Sequence, residues 1–149
     1  MKKNKKTNVG RILDAKNISY QQLTYHPEQL NSHVFKTLVT KDSNERNYFV
    51  FVIPLHSHLD LKRAAKAVGI KKIEMLPEKE LLAVTGYVHG GCSPIGMKHS
   101  FQTIIEEQAL HLPLIIVSAG KVGLQVELSP ADLQMITDAT FYTVVKEDK

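Results

Sequence analysis

The stretch Tyr48-Phe49-Val50-Phe51-Val52-Ile53 decides the fold class of this chain. Its residues are aromatic or β-branched, and these residue types favour β-strands. Because apolar side chains fall on both faces, we expect this strand to lie at the centre of a sheet that is covered on both sides. The polar run at 41–47 precedes it and predicts a hairpin connection from a second strand over 34–40.

Strands and helices alternate outward from this hairpin. Helices are predicted after the capping residues Thr7, Asp60 and Ser129 and after Pro77, and Gly69 is expected to end the second helix. Further strands are predicted over 20–25, 71–75, 101–105, 114–118, 123–128 and 141–145. Because hairpins occur beside strand–helix connections, we expect a mixed α/β (α+β) fold with a curled, barrel-like mixed β-sheet surrounded by helices.

Length and charge indicate one domain with a basic arm. The 149 residues fit a single domain over 7–149, preceded by a disordered arm over 1–6. The net charge is +4, and the arm alone contains four lysines, so the remainder is close to neutral. Such an arm is usually a solvated tail and less often a handle for RNA. A protein that tracked nucleic acid along its whole surface would be basic throughout, so any RNA contact is expected to be local.

Cysteine usage and hydropathy indicate the compartment. One cysteine excludes an internal disulfide framework, which favours a reducing cytoplasm. No apolar run reaches the length of a membrane span, and no apolar stretch follows the basic N-terminus as in a signal peptide. We therefore expect a cytoplasmic protein without membrane contact.

The segment Thr85-Gly86-Tyr87-Val88-His89-Gly90-Gly91-Cys92-Ser93-Pro94-Ile95-Gly96 is the strongest candidate for a functional loop. Glycines allow backbone angles closed to other residues and bring bare N–H groups within reach of a ligand. Pro94 would stiffen the exit from the turn. Such a loop suits an anionic or carbonyl oxygen, although an ordinary turn-rich loop has the same composition.

Lys36 is the most informative charge in the chain. Strand periodicity places it on one face with Val34 and Leu38, where it must snorkel to solvent, mark an edge strand or face a polar cavity. At a cavity it would supply a point charge for a phosphate or a polarised carbonyl group. Thr37 points to the other face, which favours a structural role for its side chain.

Other reactive side chains give weaker patterns. His56 and His58 could begin a zinc site, but a third ligand from His89, Cys92 or His99 is suggested only by nearness in sequence. Solvated loop histidines are the preferred interpretation, and we expect no metal and no cofactor. Cys92 as a nucleophile is an equally weak prediction, because the sequence places no histidine beside it in space. The run Ser118-Ala119-Gly120-Lys121 lacks the remaining residues of a phosphate-binding loop.

Several of these segments, taken in order, resemble the YbaK/ProX family, the stand-alone relatives of the editing domain inserted in bacterial prolyl-tRNA synthetases. The resemblance runs from about residue 7 to residue 141, and several motifs in register are more specific than any one of them. It is closer to the branch that deacylates cysteinyl-tRNA(Pro) than to the alanyl-tRNA(Pro) branch. The matching segments are Phe35-Lys36-Thr37-Leu38-Val39, the run from Leu59 to Gly69, Thr85-Gly86-Tyr87 with the glycine run up to Gly96, and Val117-Ser118-Ala119-Gly120-Lys121.

The resemblance implies hydrolysis of an aminoacyl ester wrongly attached to tRNA(Pro), with the tRNA acceptor end as partner and prolyl- or cysteinyl-tRNA synthetase as a possible second partner. It implies that Lys36 holds the phosphate or carbonyl end of the terminal adenosine, and that Gly90 and Gly91 form a catalytic cradle for the carbonyl oxygen. For the cysteine branch, the resemblance implies that the substrate's own thiol attacks its ester and releases a cyclic thiolactone. The implied substrate-binding residues are Tyr25, Thr37, Cys92, Ser93, Pro94, Ser118 and Gln125.

Two departures from the family pattern keep the choice of substrate open. The segment 26–35 is shorter than in many members, in which a helix there walls the pocket. Gln125 stands where close relatives usually have aspartate, so a negative charge that could attract the substrate's ammonium is lost. The alternatives are a deacylase of another small aminoacyl ester such as Ala-tRNA(Pro), a non-catalytic module that binds the tRNA acceptor end or a synthetase, and a small-molecule or nucleotide binder.

Overall fold

The computed structural model describes residues 7–24, 33–43 and 47–147. The basic arm at 1–6, Tyr25 and most of the shortened segment lie outside these ranges. Two 3₁₀ segments, Glu78–Glu80 and Glu107–His111, join the regular elements. In chain order these elements are α1 (Asn8–Ala15), β1 (Gln21–Thr24), β2 (Phe35–Asp42), β3 (Tyr48–Pro54), α2 (Leu61–Val68), β4 (Ile73–Met75), α3 (Leu81–Thr85), β5 (Gln102–Glu106), β6 (Ile115–Ser118), β7 (Leu124–Leu128), α4 (Pro130–Thr137) and β8 (Thr140–Tyr142).

β3 is the central strand of a five-stranded mixed sheet, as its sequence predicts. The strand order is β4-β2-β3-β5-β8. β3 pairs antiparallel with β2 and parallel with β5, which in turn pairs parallel with β8. The side chains of β3 from Phe49 to Ile53 are at most 7% exposed. The prediction of a covered central strand is therefore confirmed.

The remaining strands form a separate sheet of order β1-β7-β6, which is antiparallel throughout. Among the described residues, only an isolated bridge between Val34 and Ile116 links it to β2, supported by a bond from Ile116 N–H to His33 O of 2.9 Å. β6 continues for two residues to Ser118, and the described residues form no further bridge between the two sheets. The fold is mixed α/β as expected, but the prediction of one curled, barrel-like sheet is wrong.

The helices begin where their caps predict. Thr7 Oγ1 accepts from Gly10 N–H at 3.1 Å, and Asp60 Oδ1 accepts from Lys62 N–H at 3.0 Å. Gly69 ends α2 with φ +74°, and Ser129 caps α4 with Pro130 in its first turn. These side chains satisfy N–H groups that have no partner within the helix. The helix predicted after Pro77 begins instead as the 3₁₀ segment and becomes α-helical only at Leu81.

The core divides around the two faces of β2 and β3. On one face, Phe35 and Val52 pack with α1 and the three-stranded sheet, while Val39 and Val50 pack with Cys92. We call this the inner face. On the other face, Phe51 and Ile53 pack with Ala64 and Ala65 of α2, and we call this the outer face. No helix in the described parts of the chain is long and apolar enough to cross a membrane.

Candidate active site

The register between β2 and β6 brings Lys36 and Ser118 to one face. Val34 and Ile116 form a parallel bridge, and the Cα atoms of β2 and β6 approach within 8 Å. Lys36 and Ser118 each follow two residues later on their own segment. Because side chains two apart on a strand share a face, both side chains lie on the outer face.

Gln125 joins this group from the neighbouring strand. It is directly opposite Ser118 in the β6–β7 ladder and opposite Leu23 in the β1–β7 ladder. Ser118 Oγ accepts a hydrogen bond of 3.1 Å from Gly120 N–H, which fixes the hydroxyl at the end of β6. Lys36, Ser118 and Gln125 therefore occupy neighbouring positions on one face, which we call the Lys36 group.

Lys36 is a half-buried cation beside apolar side chains. It stands opposite Ile53 in the β2–β3 ladder, and burial lowers the pKa of its ammonium group. In the described ranges, no carboxylate lies within 4.0 Å of its amine. A partly dehydrated ammonium group interacts strongly with an anionic or polarised oxygen. β4 pairs with β2 only from Thr40 to Asp42, so at Lys36 the described residues give β2 a ladder partner on one side only, as an edge position has.

A second polar pair lies on the same face and was missed from the sequence. Glu127 follows Gln125 at strand spacing, and its Oε2 atom lies 3.3 Å from His33 Nε2. The pair joins β7 to the residues that enter β2. His33 O in addition accepts from Ile116 N–H of β6. The alternation of Gln125 and Glu127 in β7 was the available signal, since residues two apart share a face.

The glycine loop packs against the turn that joins β6 and β7. A Cβ atom added at Gly91 would lie 2.9 Å from Val122 N, so only glycine allows this approach. Gly91 N–H already donates to Val88 O at 3.0 Å. Gly90 is exposed with φ +84°, and no hydrogen bond within the described part of the chain uses its N–H. Gly90 is thus better placed than Gly91 to offer a backbone donor.

The loop residues after Gly91 are buried on the inner face. Ser93 has no exposed surface, and its Oγ atom accepts from Ile95 N–H at 3.2 Å. Cys92 packs against Val39 and Val50, and burial raises the pKa of its thiol to about 11. Their side chains are therefore occupied within the fold.

Thr37 faces the same inner side, between Phe35 and Val39 on β2. Its Oγ1 atom is buried, and the described residues give it no hydrogen-bond partner. The predicted site residues thus divide between two faces: Lys36, Ser118 and Gln125 lie on the outer face, while Thr37 and the residues from Cys92 to Pro94 lie inside. Tyr25 lies outside the described residues, directly after β1.

The other candidate features do not join the Lys36 group. Residues 7–24, 33–43 and 47–147 contain no group of three His, Cys, Asp or Glu side chains that could hold a metal ion. A cleft of about 140 Å³ lies between the exit of the glycine loop and α4. It includes Pro94 but none of the Lys36 group, and its other lining residues are Gly96, Met97, His99, Ser100, Phe101, Thr103, Ile136 and Thr137.

The sequence and the fold match a known class. The model of the aminoacyl-tRNA editing domain matches residues 8–136, and the chain belongs to this family. A relative from Enterococcus faecalis, EbsC, is assigned as a Cys-tRNA(Pro)/Cys-tRNA(Cys) deacylase. The two are 40% identical over 161 residues, covering 99% of this chain and 98% of that protein.

Solved structures agree on the fold. A crystal structure of a hypothetical protein superimposes with a TM-score of 0.83 at 21% identity, covering 93% of this chain and 99% of that one. A protein assigned as a trans-editing enzyme for prolyl-tRNA synthetase gives a TM-score of 0.79 at 18% identity, covering 93% and 95%. At 21% and 18% identity, these two structures show a shared fold and not a shared activity.

Proposed function

We propose that this chain is a cytoplasmic, trans-acting deacylase that hydrolyses the aminoacyl ester of mischarged Cys-tRNA(Pro). Family membership supports the reaction class, and the assignment of the relative at 40% identity supports cysteine as the amino acid. That assignment also makes Cys-tRNA(Cys) a substrate to test. Prolyl- or cysteinyl-tRNA synthetase would be the protein that hands over the charged tRNA.

The observation that carries this proposal is the Lys36 group itself. A partly dehydrated lysine stands beside a hydroxyl and a carboxamide on one sheet face. These groups match a terminal adenosine ester, which offers phosphate oxygens, a carbonyl oxygen and the amino acid's ammonium group. Lys36 would bind the phosphate or carbonyl oxygen, while Ser118 and Gln125 would hydrogen-bond the aminoacyl end.

Stabilisation of the developing oxyanion would come from Lys36 and from Gly90 N–H. A single donor aimed at such an oxygen contributes roughly 10²–10³ in rate. Gly91 would contribute indirectly. Because it has no side chain, the glycine loop can pack on the turn after Ser118. Thr37, whose Oγ1 atom is buried on the inner side, would contribute through the position of β2 beside Lys36.

The protein would position the ester rather than supply a nucleophile. With a pKa of about 11, the Cys92 thiol stays protonated at neutral pH. Either water or the substrate's own thiol would attack the carbonyl carbon. In the second route the Sγ–C bond forms, the bond to the ribose oxygen breaks, the thiol proton passes to that oxygen, and the amino acid leaves as a thiolactone.

The test is a deacylation assay with Cys-tRNA(Pro), Cys-tRNA(Cys) and Ala-tRNA(Pro). We expect cleavage of the cysteinyl esters and a loss of at least tenfold in Lys36→Ala. Lys41→Ala is the matched control, because Lys41 lies on the same strand but is paired with Glu74 at 3.8 Å. The proposal fails if no ester is cleaved above background, or if Lys36→Ala is as active as the parent.

The same assay separates the alternatives. Cleavage of Ala-tRNA(Pro) at an equal rate would indicate a deacylase with broader specificity and would exclude an obligatory substrate thiol. Tight binding of tRNA without turnover would indicate a non-catalytic module. Affinity for a free adenylate with indifference to tRNA would indicate a nucleotide binder.

A further inference from the structure

We propose that the exposed side of α2 and the turn that follows it form the docking surface for the phosphate backbone of the tRNA acceptor arm. This surface consists of Lys62, Lys66 and Lys71, and we call it the α2 basic surface. The inference rests on the proposed function, because it identifies where the RNA lies while its aminoacyl end reaches the Lys36 group.

Outside the arm, positive charge is concentrated in the segment that contains this surface. Outside the arm at 1–6, the chain has equal numbers of basic and acidic residues. Residues 56–72 nevertheless contain five Lys or Arg residues and a single acidic one, Asp60. A local basic patch on an otherwise neutral domain is the electrostatic footprint expected for contact with a short stretch of nucleic acid.

α2 presents two of these lysines on the same exposed side. Lys62 and Lys66 are four residues apart, so they lie on the same side of α2 with a rise of about 6 Å between them. Both are exposed, as is Lys71 just beyond the helix. The opposite side of α2 is fixed, because Ala64 and Ala65 are buried against the sheet.

Carboxylates nearby are already engaged. Asp60 caps the helix through Lys62 and Arg63 N–H, and Glu147 binds Arg63 at 2.8 Å. In the ranges that the structure describes, no carboxylate lies within 4.0 Å of the amines of Lys62, Lys66 or Lys71. These three cations can therefore bind phosphate groups and displace the counter-ions that are condensed on the RNA backbone.

The α2 basic surface lies on the same side of the sheet as the Lys36 group. α2 packs on the outer face, which also carries Lys36. The helix follows the end of β3 at Pro54, which is opposite Phe35, next to Lys36. It leads into β4, which pairs with the far end of β2 at 40–42. The start of α2 lies beside the segment after β8, where Asp60 N–H donates to Val144 O at 2.8 Å. α2 therefore crosses the outer face from the β8 side of the sheet to the β4 side.

The test measures binding of uncharged tRNA(Pro) to the full chain over a range of salt concentrations. The variant is Lys62→Gln with Lys66→Gln, and the control is Lys16→Gln with Lys79→Gln. Lys16 directly follows α1, and Lys79 lies in the 3₁₀ segment that leads into α3; both are exposed, and both helices pack against the inner face. The arm at 1–6 is present in all proteins, so it cancels from the comparison.

We expect the α2 variant to weaken binding at least tenfold at low salt and to reduce the slope of log affinity against log salt by about 1.5, since each phosphate contact contributes about 0.7–0.9. The control pair should change both quantities by much less. With Cys-tRNA(Pro), the α2 variant should raise KM and leave kcat unchanged.

The inference is overturned if the parent does not bind tRNA, if both pairs of substitutions weaken binding equally, or if the salt slope is unchanged. It is also overturned if the α2 variant binds tRNA normally but loses a synthetase partner. Failure of the deacylase proposal looks different: the parent would bind tRNA with the expected dependence on α2 and yet cleave none of the esters.

Discussion

Cys92 shows how burial decides the role of a reactive residue. It lies one residue beyond the Gly90-Gly91 pair, in the loop that the sequence marks as functional. Its thiol packs among Val39, Val50 and Leu76, and burial raises its pKa to about 11. A thiol with that pKa is ionised in about one molecule in ten thousand at pH 7. The thiolate is the nucleophile, so Cys92 contributes packing rather than chemistry.

Cys92→Ala should therefore retain deacylase activity within about twofold of the parent. The loss of the buried sulfur should reduce stability by about 1 kcal/mol, because a small cavity remains in the cluster. The check is the pH profile of deacylation from pH 6 to pH 9, which should keep its shape in the variant. If the rate falls more than tenfold while the fold is retained, the thiol takes part in catalysis.

Lys36 and Thr37 illustrate the opposite case, in which neighbours in sequence are separated in space. Strand alternation sends Lys36 to the outer face with Ser118 and Thr37 to the inner face with Val39. Their sequence positions alone predict this separation. What the sequence could not supply is the parallel bridge between Val34 and Ile116, which brings Ser118 beside Lys36.

At the level of elements, the glycine loop and the β6–β7 turn act as one packed unit. Gly91 touches the Lys121–Val122 backbone, and Gly90 has room for a methyl group, with Val122 Cγ2 at 3.8 Å. Gly90 needs its positive φ, while Gly91 needs its missing side chain. These are different constraints on adjacent residues, and they can be separated by experiment.

Gly91→Ala should destabilise the protein by about 2–3 kcal/mol, because the new methyl group would force two backbone segments apart. Gly90→Ala should cost only about 1 kcal/mol, the usual penalty of a left-handed alanine. Urea unfolding of both variants measures the difference. Because the turn follows Ser118 directly, Gly91→Ala should also reduce deacylation more than Gly90→Ala does. Equal losses of stability would contradict the close packing at Gly91.

Local elements were predictable because their signals are local. The caps Thr7, Asp60 and Ser129 mark three helix starts, and the apolar run of β3 marks the central strand. The 3₁₀ segment Glu107–His111 was not predicted, since it lacks an apolar period. The separation into two sheets was also missed, because it depends on which distant strands pair, and local patterns do not show such pairings.

The candidate site was predictable only in part for the same reason. The resemblance to the editing family named residues of the Lys36 group and of the glycine loop. It could not separate the exposed Gly90 from the buried Ser93, because burial is a property of the whole fold. Glu127 and its contact with His33 were missed because the pair joins distant parts of the chain.

At the scale of the whole molecule, Glu106 ties the C-terminal segment to the sheet and to α2. It is 1% exposed at the end of β5. Its Oε1 atom accepts from Val144 N–H at 2.8 Å and Val145 N–H at 3.2 Å, and its Oε2 atom accepts from Gln108 N–H at 3.1 Å. Val144 O in turn accepts from Asp60 N–H at 2.8 Å, at the start of α2. One carboxylate thus connects β5, the chain end and the helix of the proposed RNA surface.

Glu106→Ala should destabilise the protein by about 3 kcal/mol or more, because it leaves three N–H groups without their acceptor. Glu107→Ala is the matched control, since Glu107 is exposed and binds only the Thr143 hydroxyl among the described contacts. It should change the free energy of unfolding by about 0.5 kcal/mol or less. The measurement is the urea midpoint with an unchanged slope. Equal effects of the two variants would mean that the chain end is held by its apolar contacts, and that α2 keeps its position without the Glu106 carboxylate.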